Sequence, residues 1–228
     1  MRFNVNKPNY NNVPKNCFNW SNTPYNHEEE ELPIGAPEPK GKRVILSHWY
    51  DANLMHDVLS GKSVTGAFHM ANLTPMMWYS KKQATSETAT YGAEFLAART
   101  CMEQIVHLRN SFRYLGVPVY KTSYMWGDNE SQIHSSSVPY ARLGKRHNIL
   151  SFHYVRSLMA RGFVILSHIP SAFNVADTLS KHWGHQSNYH NLIRPLLNYH
   201  ERKSNVSSGE LLYTSNDHRF FRTAQDGE

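Results

Sequence analysis

The sequence predicts an α/β domain on a mixed five-stranded sheet, three antiparallel strands followed by parallel strands, flanked by helices. Three observations predict it. Strand-like and helix-like segments alternate along the middle of the chain in the order β-β-β-α-β-α-β-α. Glu94, Ala98, Cys101, Ile105 and Leu108 fall at i, i+4, i+7, i+11 and i+14, one face of a helix. Asp51, Asp128 and Asp177 stand where strands end or helices begin, the places where sites form in open α/β sheets.

The elements follow in order. Residues 43–50 (RVILSHWY) are β-branched and aromatic and stop at Asp51. Residues 63–69 and 76–80 read as the next two strands, with the turn-like stretch 71–75 between them. The helical stripe comes next, with Thr85 or Ser86 as its cap. Residues 119–127 read as a strand ending at Asp128. Residues 148–160 form the second helix, with Ile149, Phe152, Val155 and Met159 on one side. Residues 163–169 make the last strand, and 174–181 start a short helix. The domain spans 43–200. Residues 1–42, rich in Asn, Pro and Glu, read as a largely irregular linker or connection arm. Residues 201–228 read as a polar, disordered tail.

Of the 228 residues, 40% are hydrophobic, enough for a core and too many for wholesale disorder. The net charge of +6 favours a polyanionic partner, though weakly by itself. Cys17 and Cys101 make neither a disulfide framework nor paired metal spacing, and a reducing compartment is the default. No apolar run reaches the roughly 20 residues of a membrane helix, and the first residues lack the apolar core of a signal peptide. The chain is expected to be soluble and intracellular.

Four carboxylates are the candidate chemistry. Glu94 is the odd one, because its stripe is otherwise the core-facing side of the helix. A carboxylate there is costly unless a cation compensates it. Each acid also has a plainer reading. An Asp after a strand is often a turn residue, Asn174 and Asp177 have capping-box spacing, and Glu94 could lie at the rim of the core. As a set they are hard oxygen ligands suited to magnesium or manganese.

Six ordered segments carry a resemblance: YDANLMHD, SGKSVTG, WYSKKQATSETATYGAEFLAA, YMWGDNESQI, KRHNILSFHYVR and NVADTLSKHWG. Together they resemble the ribonuclease H region of copia-type LTR retrotransposon Pol polyproteins, over about residues 43–185. That region typically reads D-A-D-W-A, K-S-T-S-G, W-x-S-K-K-Q, T-E-A-E-Y, D-N-x-S, K-H-I-D-I-x-Y-H-F-I-R and A-D-x-x-T-K. The resemblance implies a ribonuclease H-like fold and catalytic, metal-binding acids at Asp51, Glu94, Asp128 and Asp177. Two positions depart from the pattern. Asn53 replaces an acid, and Tyr91 replaces the first Glu of T-E-A-E-Y. Glu94 is then the matching acid, with Glu87 seven residues earlier as the fallback.

The resemblance further implies two ions, Mg²⁺ or Mn²⁺, and hydrolysis of the RNA strand of RNA–DNA hybrids. Asp51 would bridge the ions, with Glu94 and Asp128 on one side and Asp177 on the other. It also implies a reverse transcriptase domain of the same polyprotein as partner. The setting would be a cytoplasmic virus-like particle, with nuclear access left open.

The stretch 131–176 contains no acidic residue. Its bases, with neighbours, make a candidate nucleic-acid surface: Lys81, Lys82, Asn129, Arg142, Lys145, Arg146, His147 and Arg156. A basic helix without a ligand is the plainer reading. His168, nine residues before Asp177, and His147 are weak candidates for assisting proton transfer. His182, His185, His190 and His200 lack matched Cys or acid partners, so zinc is not expected. Three rivals remain: a catalytically silent relic or domesticated nucleic-acid-binding domain, an integrase-like enzyme of the same fold, and a structural α/β domain. The spacing of acids after Asp128 disfavours an integrase, and six ordered motifs disfavour a purely structural domain.

Overall fold

A computed structural model of the chain describes residues 7–13, 18–25, 30, 33–144, 146–182, 189–193 and 196. The tail 201–228, Cys17, Lys145, His185 and His200 lie outside the described residues.

Five strands form one sheet in the order β3-β2-β1-β4-β5. They are β1 (Leu46–Asp57), β2 (Lys62–Ala71), β3 (Thr74–Lys82), β4 (Ser123–Gly127) and β5 (Val164–His168). The first three pair antiparallel; β4 joins β1 in parallel and β5 joins β4 in parallel. The mixed sheet expected from the sequence is therefore the one observed. The helices are α1 (Thr90–Tyr114), α2 (Glu130–Ser137), α3 (Ile149–Ala160), α4 (Asp177–Ser180) and α5 (Tyr189–Ile193).

β1 is the central strand, and its first seven residues are buried. That fits a strand covered on both faces, which reads as a nearly continuous apolar run. One face packs on α1 and α3 through Tyr50, Ala67, Ala98, Ile105, Val155 and Leu166. The other packs through Trp49, Phe68, Met70, Trp126 and Val175. Cys101 is buried in the first of these cores, as its apolar stripe implies. Asn72 makes the tight β2–β3 turn with φ 53, a conformation Asn tolerates better than most residues. Its side chain accepts from the Ile45 N–H at 3.1 Å and fastens the turn to the start of β1.

Some boundaries differ from the sequence reading for physical reasons. β1 continues six residues past Asp51, because antiparallel pairing with β2 runs on through Asp51↔Gly66 to Asn53↔Val64. Asp51 is thus inside the strand. The fourth strand starts at Ser123, and upstream only Val119 makes an isolated bridge, to Val44. Between them, the carbonyls of Tyr120 and Lys121 accept from the Arg109 guanidinium and leave the ladder. α1 is capped at Ala89 and not at Thr85 or Ser86. α2 and α5 are additional to the expected helices.

The N-terminal arm contains no helix or strand among its described residues, yet it is docked. The Tyr10 ring packs 4.4 Å from that of Tyr124 and 5.0 Å from that of Trp126. Its hydroxyl meets Ser47 Oγ at 2.6 Å. Trp20 and Tyr25 stack on the Arg156 guanidinium. Glu30 pairs with Arg109 and Arg113 on α1.

Candidate functional site

The site forms where β1, α1, the end of β4 and α4 meet. Asp51 comes from mid-β1, Glu94 from the first turns of α1, Asp128 from the residue after β4 and Asp177 from the first position of α4. Asp51, Glu94 and Asp128 each place an oxygen within 4.8 Å of the others. Asp51 is 1% exposed and Glu94 2%. Full charges at that spacing repel by about 3–4 kcal/mol per pair at an effective dielectric of 20.

The carboxyls respond accordingly. Burial, with the neighbouring Asp177 charge, pushes Asp51 up to about 7. Burial and the charges of Asp51 and Asp128 hold Glu94 well above the usual carboxylate range. Burial also raises Asp177, against the pull of Lys181.

Packing around α4 brings the last acid in. Gly66 lies opposite Asp51 in the β1–β2 register. A Cβ there would stand 2.6 Å from the Ala176 carbonyl oxygen and 3.0 Å from the Ser180 nitrogen. Only glycine permits α4 to lie this close to the sheet. Asn174 Nδ2 donates to the Tyr50 carbonyl at 2.9 Å, and Ser80 Oγ to the Leu179 carbonyl at 2.6 Å. Asn174 therefore ties the α4 loop to β1, while its Oδ1 accepts from the Ala176 N–H at 3.1 Å at the start of α4. The Asp177 carboxylate accepts from Ser171 Oγ at 3.1 Å and pairs with Lys181 at 2.7 Å. Ser180 donates its hydroxyl to Asp51 Oδ2.

Lys181, Ser180, Ser171, Asn174 and Gly66 are site residues that the sequence reading missed. The i, i+4 spacing of Asp177 and Lys181 was a legible signal for the first. Lys181 Nζ also lies 3.6 Å from Asp51 Oδ1.

The donor set fits a hard divalent cation. It is all carboxylate oxygen, and Glu94 Oε2 is buried with no hydrogen-bond partner. An unpaired buried carboxylate oxygen is strongly unfavourable without a counter-charge. Glu87, the fallback acid, is buried elsewhere, with Oε2 2.8 Å from His147 Nε2.

The basic candidates divide. Lys81, Lys82, Arg142 and Arg146 are exposed, and Lys82 pairs with Asp57 at 2.7 Å. Asn129 accepts from the Gln132 N–H and caps α2. His147 keeps an exposed ring beside Glu87. Arg156, expected from the sequence at the phosphate surface, is instead buried at 3% exposure and is not a phosphate contact. Its guanidinium donates to the Ser135, Val138 and Pro139 carbonyls and closes the α2–α3 connection. His168 ends β5 with Nδ1 3.8 Å from Glu130 Oε1. No helix among the described residues is long and apolar enough to cross a membrane.

No family model matches the chain. Over 142 residues it is 22% identical to the retrovirus-related Pol polyprotein from transposon RE2 of Arabidopsis thaliana, covering 62% of the chain and 10% of that protein. Over 141 residues it is 26% identical to the retrovirus-related Pol polyprotein from transposon TNT 1-94 of Nicotiana tabacum, with the same coverage. The chain is thus similar to a segment of retrovirus-related Pol polyproteins. The match spans about a tenth of the length of those relatives.

Solved structures similar to this chain include RNase H1 from Halobacterium salinarum. That likeness has a TM-score of 0.46 and 15% identity, over 61% of this chain and 95% of that one. An N-terminal RNase H domain from Mycobacterium tuberculosis gives a TM-score of 0.48 and 12% identity, over 68% and 97%.

Proposed function

We propose that this domain is a metal-dependent endonuclease that hydrolyses the RNA strand of RNA–DNA hybrids, as the ribonuclease H portion of a copia-type retrotransposon Pol polyprotein. The observation that carries the reading is the convergence of Asp51, Glu94 and Asp128 within 4.8 Å, with a buried Glu94 oxygen lacking a partner. Asp51, Glu94, Asp128 and Asp177 would hold two ions, Mg²⁺ or Mn²⁺. Bound there, divalent ions supply charge neutralisation and an activated water for phosphodiester hydrolysis.

The chain's own contribution is placement. The Ala52 backbone N–H donates to Glu94 and steers its carboxylate toward Asp51. Ser180 orients Asp51, and Ser171 orients Asp177. Exposed Lys81, Lys82, Arg142, Arg146 and His147 would face the phosphate backbone. A reverse transcriptase domain of the same polyprotein is the proposed partner, in a cytoplasmic particle. The related Pol polyproteins, much longer than this chain, support that context.

The test is cleavage of a labelled RNA–DNA hybrid by the purified chain with Mg²⁺ or Mn²⁺. The expected result is cutting of the RNA strand alone, abolished by EDTA and by Asp128→Asn. Loss below about 0.1% of wild type corresponds to roughly 4 kcal/mol of transition-state stabilisation. Cutting that survives Asp128→Asn, or an inert wild-type chain even with a polymerase domain supplied, would overturn the reading.

A further inference from the structure

The four acids do not form one equivalent set. Asp51, Glu94 and Asp128 converge on a point among themselves. Asp177 is paired instead with a cation that the chain itself supplies, and that cation also reaches Asp51. Lys181 follows α4 directly, and its backbone N–H donates to the Asp177 carbonyl at 3.0 Å. That places its side chain one turn along from the Asp177 side chain. Its ammonium sits 2.7 Å from Asp177 Oδ2 and 3.6 Å from Asp51 Oδ1. Both carboxylates are buried, while the lysine side chain keeps 31% of its surface exposed. The remaining contacts fix the carboxylates more than the lysine: Ser180 holds Asp51 and Ser171 holds Asp177. The ammonium is thus a tethered cation between two fixed anions, with an open route outward along its flexible stem.

We propose that Lys181 is the resident occupant of the second cation position, the one between Asp51 and Asp177, so that a divalent ion enters there only by displacing the ammonium. This rests on the metal-dependent reading above and goes beyond it. The two positions are unequal by construction. The first, at Asp51, Glu94 and Asp128, has a buried oxygen with no competitor. The second begins already neutralised in part by a unit charge. An ion arriving there gains the two carboxylates and loses their pairing with Lys181, so it binds more weakly than the first. At low divalent ion concentration the domain would hold one ion and stay incomplete.

Mn²⁺ binding to the full chain, counted from the free ion by electron paramagnetic resonance, tests this. Wild type is expected to take one ion tightly and a second at least tenfold more weakly. Lys181→Gln should tighten the second ion by at least tenfold, which is about 1.4 kcal/mol. Lys181→Arg keeps the charge and should leave the second ion weak. A second measurement does not depend on any variant folding: acylation of the Lys181 amine in wild type, read by peptide mass mapping. Labelling should rise several-fold over the Mn²⁺ range that fills the second position.

Equal second-ion affinity in wild type and Lys181→Gln would overturn the inference while leaving the metal reading standing. Labelling indifferent to Mn²⁺ up to full occupancy would do the same. A wild-type chain that binds no Mn²⁺ at millimolar concentration would overturn both, through the metal reading first.

Discussion

Glu94 and Arg109 lie on the same helix, fifteen residues or about 22 Å apart along its axis. Both are buried, at 2% and 0% exposure. Their surroundings differ. Arg109 uses every donor: Nε and Nη2 to Glu30 at 2.8 Å, Nη1 to the Tyr120 carbonyl and Ser123 Oγ, and Nη2 again to the Lys121 carbonyl. Glu94 leaves one buried oxygen without a partner and faces two more carboxylates. A saturated buried charge holds the fold together, here by clamping the arm and the approach to β4 onto α1. An unsaturated one, in like-charged company, is incomplete until something else arrives.

The largest effect expected is on stability, at the saturated end of α1. Arg109→Met should cost roughly 3–5 kcal/mol, because Glu30 loses one of its two arginine partners and two carbonyls lose their donor. Urea denaturation would show it, and a cost below about 1 kcal/mol would mean that the clamp is slack. Next is Gly66→Ala. Its methyl meets the α4 backbone, which must move, so a loss of about 1–3 kcal/mol is expected, together with a lower hydrolysis rate as Asp177 shifts. Wild-type rate with wild-type stability would show that α4 need not sit so close.

At the unsaturated end the sign reverses. Glu94→Gln removes one of three converging carboxyls, the one that burial and its neighbours hold well above the usual range, so the metal-free protein should gain about 1–2 kcal/mol while losing hydrolysis. A destabilised variant would make Glu94 structural.

A further effect is on pH dependence. The folded state holds the Asp51 proton up to about pH 7, whereas an unfolded Asp releases it near 3.8. The native chain therefore binds more protons across that interval, and metal-free stability falls as pH rises from about 4 to about 7. Melting curves of wild type against Asp51→Asn isolate this contribution. A difference that is flat across the interval, or that grows toward acid pH, would contradict it.

Much of this was legible in the sequence. The strand order, the α1 stripe and the four acids follow from periodicity and from residues set against the local pattern, Glu94 above all. What escaped depends on tertiary partners. Arg156 reads as a phosphate contact in a long acid-free stretch. It is a core cation only because Trp20 and Tyr25, more than 130 positions away, stack on it. α2 (ESQIHSSS) shows no apolar stripe, with Ile133 its one large apolar residue. The strand at 119–127 fails upstream because Arg109 takes its carbonyls. Gly66 carries no local signal, since its need is set by a helix packed from residues 176–180.

The central claim is that the acid set is completed by a divalent cation, and thermal melting tests it most directly. Wild type, Glu94→Gln and Arg109→Met would be melted at pH 7 with EDTA and then with millimolar Mn²⁺. Wild type and Arg109→Met should each rise by several degrees with Mn²⁺, since ligand binding to the folded state stabilises it, and Glu94→Gln should rise far less. Equal rises in wild type and Glu94→Gln, or none in wild type, would contradict the account.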